Sequence, residues 1–158
     1  MNDYNYEKIM HILAEIQYPE MMEKCIQLLE KNKEKFQSAP ASRTYFAKEG
    51  GFAEYTLLCL QNGKRLYDAL RPEAVELPHL LVGLVFHHID SMNRYLWKDG
   101  KVVEVVDLPC REFMIGYILG RRSVDFFPNL FSSAVEYKGP IGKLIQITSD
   151  FVIANEKK

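Results

Sequence analysis

The sequence predicts an all-α fold interrupted by one small β-hairpin. Three observations carry this. Apolar residues recur at three- and four-residue spacing along most of the chain, as in helices buried along one face. The almost wholly apolar run from Leu80 to Phe86 is too short for a membrane span, which takes about 20 residues, and reads as a buried central helix. Lys98-Asp99-Gly100-Lys101, between Tyr95-Leu96-Trp97 and Val102–Val106, reads as a hairpin over about 95–106, because Asp-Gly accepts the positive φ that a two-residue turn requires.

The elements follow in order. Tyr6, Ile9, Met10, Leu13 and Ile16 predict a first helix over about 4–16. Tyr18-Pro19-Glu20 breaks it, and Pro19 suits the first turn of a second helix with Met22, Cys25, Ile26 and Leu29 on one face. A charged stretch from Glu30 to Lys35 reads as the solvated end of that helix. Residues 37–51 read as a loop, since Pro40, the small residues and Gly50-Gly51 all disfavour regular structure. A third helix over about 52–70 carries Phe52, Tyr55, Cys59, Leu66 and Leu70. Arg71-Pro72-Glu73 ends it, and the central helix opens near Pro78. Beyond the hairpin, Leu108-Pro109 opens a helix over about 109–119, with Gly120 as its C-cap. Residues 124–137 are aromatic-rich and partly helical. Gly139-Pro140 starts a last helix with Ile141, Leu144, Ile145, Phe151 and Val152 on its apolar stripe.

Bulk properties narrow the function classes. A chain of 158 residues fits one domain. A net charge of −1 gives no bulk electrostatic case for nucleic acid or membrane binding. No transmembrane segment or basic-then-apolar leader is visible, so a cytoplasmic protein without a membrane partner is expected. Cys25, Cys59 and Cys110 are isolated and form no CxxC pair, which points to inert thiols rather than a disulfide framework or a cysteine-rich zinc site. There is no P-loop and no GxSxG elbow.

Polar chemistry is forced onto a buried element in one place, where the apolar run ends in His87, His88 and Asp90. Upstream stand Ser38-Ala-Pro-Ala-Ser42 and Glu49-Gly-Gly-Phe-Ala-Glu-Tyr55; the run itself continues as Phe86-His-His-Ile-Asp-Ser-Met-Asn-Arg-Tyr95. This succession resembles the HD-domain superfamily of metal-dependent phosphohydrolases, and in particular its small phage and mobile-element members. Those read Pro-Ala-Ser, then Gly-Gly-Leu-x-Glu-His-Ser, then Leu-Leu-His-Asp-x-x-Lys, with a hairpin and a late aspartate after them. The resemblance covers residues 37–155, with 1–36 as N-terminal helices of a single domain 1–158. It implies an HD-domain-like helical bundle with a metal site between the motif-bearing helices.

Carried over residue by residue, the pattern is incomplete. The family's first metal histidine falls on Tyr55. Its His-Asp pair falls on His87 and His88, its lysine on Ser91, and its late aspartate on Asp150. The family's reaction uses metal to bring the pKa of bound water down to about 7, and carboxylates to hold the metal. A phenol with a pKa of about 10 stays protonated and is a poor ligand. His88 in place of the aspartate removes a negative charge, and Ser91 removes a cation that meets phosphate.

Two functional expectations follow. The first is a degenerate HD domain without the phosphohydrolase reaction and without a cofactor, binding a nucleotide, a nucleic acid or a protein. The second is a divergent phosphohydrolase with one divalent metal (Zn, Fe, Mn or Mg) on His87, His88 and Asp150, with Asp90 as a further candidate and Tyr55 and Ser91 lining the site. The bland alternative is a pair of capping or core histidines, with His87 hydrogen-bonded to Asp150. Arg121 and Arg122 are phosphate-binding candidates beside the alternative of a solvated helix end. His79 and His11 read as structural or exposed.

Overall fold

The computed structural model of the chain describes residues 3–16, 19–105, 133–134 and 136–156. They form helices α1 (Tyr4–Ala14), α2 (Pro19–Lys31), α3 (Lys33–Ser38), α4 (Gly51–Leu70), α5 (Leu77–Phe86) and α6 (Ser91–Arg94). Strands β1 (Tyr95–Lys98) and β2 (Lys101–Glu104) follow, and then α7 (Gly139–Glu156). The fold is all-α with one two-stranded antiparallel sheet. The predicted helix over 109–119 and most of the aromatic-rich, partly helical stretch 124–137, and with them Arg121, Arg122 and Cys110, lie outside the described residues; of that stretch, residues 133–134 and 136 are described and helical.

Helices α4 and α5 organise the core. Every residue from 80 to 86 is buried, as a helix that is apolar all round must be. Fully burying a Leu, Val or Phe stabilises by about 1.5–3 kcal/mol relative to leaving it exposed. Helix α4 packs against α1, α3, α5 and α7, and α5 also meets α2 and α7. Where α4 crosses α5, Gly63 faces the Leu84 side chain so closely that a β-carbon there would overlap Leu84 Cδ1. The hairpin pairs Tyr95 with Glu104 and Trp97 with Val102. Asp99 and Gly100 take φ of 52° and 74°, the two positive values of the expected turn.

The structure departs from the sequence reading in three places. The charged stretch 30–35 is solvated, but the chain re-forms a helix, α3, across residues expected to begin the loop. Phe36 explains this: it is fully buried, edge-on to Tyr6 and to Phe52, and that packing overrides the surrounding charge. Leu70 is 57% exposed rather than in the core. Phe151 is 55% exposed. Leu70 is in phase with buried Phe52, Cys59 and Gly63 but is the last residue of α4, whereas Phe151 stands with exposed Ile147 on a side of α7 turned away from buried Ile145 and Val152.

The loop over 39–50 is tied down along its length. Ser42 is buried; its Oγ accepts from the backbone N–H of Thr44 and Tyr45 and donates to the Tyr45 carbonyl. Ala41 N–H donates to the Phe46 carbonyl, and Phe52 N–H to that of Ala39. Phe46 adopts φ 46°, and its N–H donates to Glu156 Oε2 at 2.7 Å, joining the loop to the last turn of α7. Gly51 is required beneath this loop, because any β-carbon would overlap the Phe46 carbonyl. Among the described residues no helix is long and apolar enough to cross a membrane.

Candidate functional site

Three elements bring one polar group each into the core. Tyr55 lies on the buried face of α4, His87 caps the C-terminus of α5, and Ser149 lies on the buried face of α7. All three are at most 1% exposed. The Tyr55 hydroxyl is 2.8 Å from His87 Nε2 and 2.7 Å from Ser149 Oγ. His87 Nδ1 is hydrogen-bonded to the Leu84 carbonyl.

The proton positions follow from this geometry. A carbonyl only accepts, so Nδ1 carries the imidazole proton and neutral His87 presents a lone pair at Nε2. The Tyr55 hydroxyl therefore donates to Nε2, and its oxygen accepts from Ser149. The result is a directed chain from Ser149 through Tyr55 and His87 to the Leu84 carbonyl. Burial pushes the Tyr55 phenol well above its ordinary pKa; Cys59 nearby pushes the same way, and the bond from Ser149 opposes them.

His88 occupies a shallower layer. Its Nδ1 is 3.0 Å from the Tyr45 hydroxyl, and its ring stacks on Tyr55 with centroids 5.8 Å apart. Tyr45 and Phe46 both pack on the Tyr55 ring, at 5.6 Å and 5.5 Å. The Ser42-braced loop thus closes over the buried triad and delivers Tyr45 to His88. Around the rim, Asp90 pairs with Arg94 at 3.5 Å, Arg94 reaches Glu104 at 3.6 Å, and Glu104 meets Arg43 at 3.0 Å. Such exposed pairs contribute about 0–1 kcal/mol each, so they orient the hairpin more than they stabilise it.

Tyr55, His87 and His88 are thus brought together, with Ser91 buried on α6 nearby in sequence. Asp150 is not brought in. It is exposed, and the neighbouring Ser149 makes the contact expected of it. One residue along a helix turns the side chain by about 100°, which separates the buried face of α7 from the exposed one. The expected His87–Asp150 hydrogen bond is replaced by His87–Tyr55. His11 is exposed and pairs with Glu15 at 2.9 Å. His79 is partly buried, with Nε2 3.3 Å from Glu76, and burial holds its pKa below the ordinary value.

The predicted donor set of His87, His88 and Asp150 is not assembled among the described residues. Nε2 of His87 is engaged by a phenol that burial keeps protonated, and the late carboxylate faces outward. Among the described residues no three His, Cys, Asp or Glu side chains form a group that could hold a metal. Sequence reasoning missed Ser149 and Tyr45. A serine beside an aspartate in Thr148-Ser149-Asp150 leaves the helical phase undecided, and Tyr45 sits in a loop without periodicity. Comparison of the chain with protein-family models, with curated proteins and with solved structures finds no match.

Proposed function

We propose that this chain is a degenerate HD-type domain that has given up metal-dependent phosphoester hydrolysis and works as a binding module. The observation that carries the reading is the Tyr55 hydroxyl, which takes up the Nε2 lone pair of His87 at 2.8 Å. A hydrogen-bonded phenol there does what a metal would otherwise do: it fixes the imidazole's tautomer and orientation. With every member of the triad hydrogen-bonded and buried, the arrangement rewards permanence rather than exchange with solvent.

Of the partner classes open to such a module, a protein is better supported than a nucleotide or nucleic acid. The cationic side chains at the rim, Arg43 and Arg94, are already held by Glu104 and Asp90. Lys48 is held by Glu54 at 2.6 Å. Exposed apolar surface is present instead, at Leu70, Ile147 and Phe151.

The test is metal content after purification without chelator, with hydrolysis assays over a panel of nucleotides and simple phosphoesters in the presence of Mg, Mn, Fe or Zn. The reading expects substoichiometric metal and no turnover. Stoichiometric metal that disappears in His87→Ala, or turnover lost in the same variant, would establish the mononuclear phosphohydrolase instead.

A further inference from the structure

The loop over 39–50 has a closed neck. Gly50 N–H donates to the Ser38 carbonyl at 3.1 Å and Phe52 N–H to the Ala39 carbonyl at 2.9 Å, so its two ends are tied to each other. Compact surface loops of about 6–16 residues with their ends together are frequently functional. This one lies over the candidate site: the Tyr45 and Phe46 rings pack on Tyr55, and the Tyr45 hydroxyl reaches His88.

Phe46 is the loop's strained point. Its φ of 46° is left-handed, a conformation that a bulky residue keeps only when its surroundings impose it. Two bonds on opposite sides of that torsion do so. On one side, Phe46 N–H donates to Glu156 Oε2 at 2.7 Å. On the other, the Phe46 carbonyl accepts from Ala41 N–H at 3.1 Å. Ala41 precedes the torsion and the carbonyl follows it, so any return of Phe46 to negative φ pulls the Ala41 bond apart. Glu156 is exposed in the last turn of α7, where a helix opens most readily. The other charged ties of the loop, Arg43 to Glu104 and Lys48 to Glu54, are surface pairs that contribute little.

We propose that residues 39–50 are a lid over Tyr55 and His88, latched by Glu156, which opens as one unit while the helical bundle stays folded. Losing the latch lets Phe46 relax, the Ala41 brace breaks with it, and the Tyr55 ring and His88 are uncovered. The neck bonds do not involve the latch, so the loop lifts without unwinding α3 or α4. Access is thus governed from the end of α7 rather than from the site itself. This gives the binding module a gate, and it rests on that reading only in treating Tyr55 and His88 as a site. Lid movement is measured without metal or substrate, so the two proposals fail separately.

The experiment is native-state hydrogen exchange of the full chain in low urea, read amide by amide by NMR. The Ala41 amide is the reporter, because the variants alter neither it nor its acceptor. In the parent it should exchange faster than the buried amides of α5 and with a weaker dependence on urea, as expected of an opening smaller than global unfolding. Glu156→Ala should accelerate Ala41 by about ten- to hundredfold, the worth of a hydrogen bond to a charged group. Glu156→Gln, which keeps an acceptor oxygen, should accelerate it less. Tyr45→Phe, which frees the lid from His88, should accelerate the Ala41 and Phe46 amides by one shared factor. In each variant α5 should stay better protected than Ala41, which also shows that the helices remain folded. Exchange of Ala41 in step with α5 in the parent overturns the proposal, because the opening is then global. So does acceleration confined to the Phe46 amide, or an Ala41 rate that ignores the loss of Glu156.

Discussion

The Tyr55 hydroxyl donates to Nε2 of His87 across 2.8 Å in a part of the core that water does not reach. Tyr55→Phe therefore removes more than one bond, because it strands an imidazole nitrogen and the Ser149 hydroxyl together. Unsatisfied buried groups cost about 1–3 kcal/mol each, which puts the expected loss at about 2–4 kcal/mol. Urea unfolding of Tyr55→Phe, Ser149→Ala and the double variant checks this. The coupling between the two sites should exceed about 0.5 kcal/mol; additive losses would mean the chain of hydrogen bonds is not a unit.

Neighbouring positions on α7 should behave oppositely. Ser149→Ala removes a buried donor and should cost about 1–2 kcal/mol. Asp150→Asn alters an exposed side chain and should fall within about 0.5 kcal/mol of the parent. Equal losses at the two positions would show that the phase of the helix is wrong.

Two glycines should tolerate alanine unequally. At Gly51 the added carbon meets the Phe46 backbone, which cannot yield without moving the loop that carries Tyr45. At Gly63 it meets the end of the Leu84 side chain, and the better helix propensity of alanine offsets part of the strain. Gly51→Ala is expected to cost about 3 kcal/mol and Gly63→Ala about 1 kcal/mol, in line with other overpacked cores, as read by chemical denaturation.

Burial moves both Cys25 and Cys59 from 9.0 to about 12. Below pH 9 folded and unfolded chains both hold the thiol proton, and the stabilisation is fully present. Between pH 9 and 12 the unfolded chain ionises while the folded one does not, so stability falls as pH rises, by about 1.4 kcal/mol per unit for each buried thiol. Denaturation midpoints followed from pH 8 to pH 11 should decline, and less steeply in Cys25→Ala. In a Cys110→Ser background at pH 8, a thiol reagent should label neither cysteine until the chain unfolds.

Much of the architecture was legible in the residues. Asp99-Gly100 announced the hairpin because few dipeptides accept two positive φ values, and the apolar spacing from Phe52 through Tyr55 and Cys59 to Leu66 announced α4. The abrupt end of the apolar run at His87 announced the buried imidazole. What escaped was orientation. Apolar spacing on α7 describes two stripes, and periodicity alone does not say which one the core takes; Phe151 was assigned to the wrong one, while Leu70 has the buried phase of α4 but stands at its end. The same ambiguity set Asp150 where Ser149 stands. Phe36 lay hidden in a run of charges, because a single fully buried aromatic outweighs the propensities of its neighbours.

The tether between Phe46 and Glu156 spans 110 residues of chain, and that between Tyr55 and Ser149 spans 94. During synthesis the ribosome must deliver residues through α7 before either can close. Until α7 emerges, the nascent chain holds an apolar centre with unanswered polar groups, the state in which chaperones find their clients. Closure of this core thus waits on α7, however early the preceding helices form.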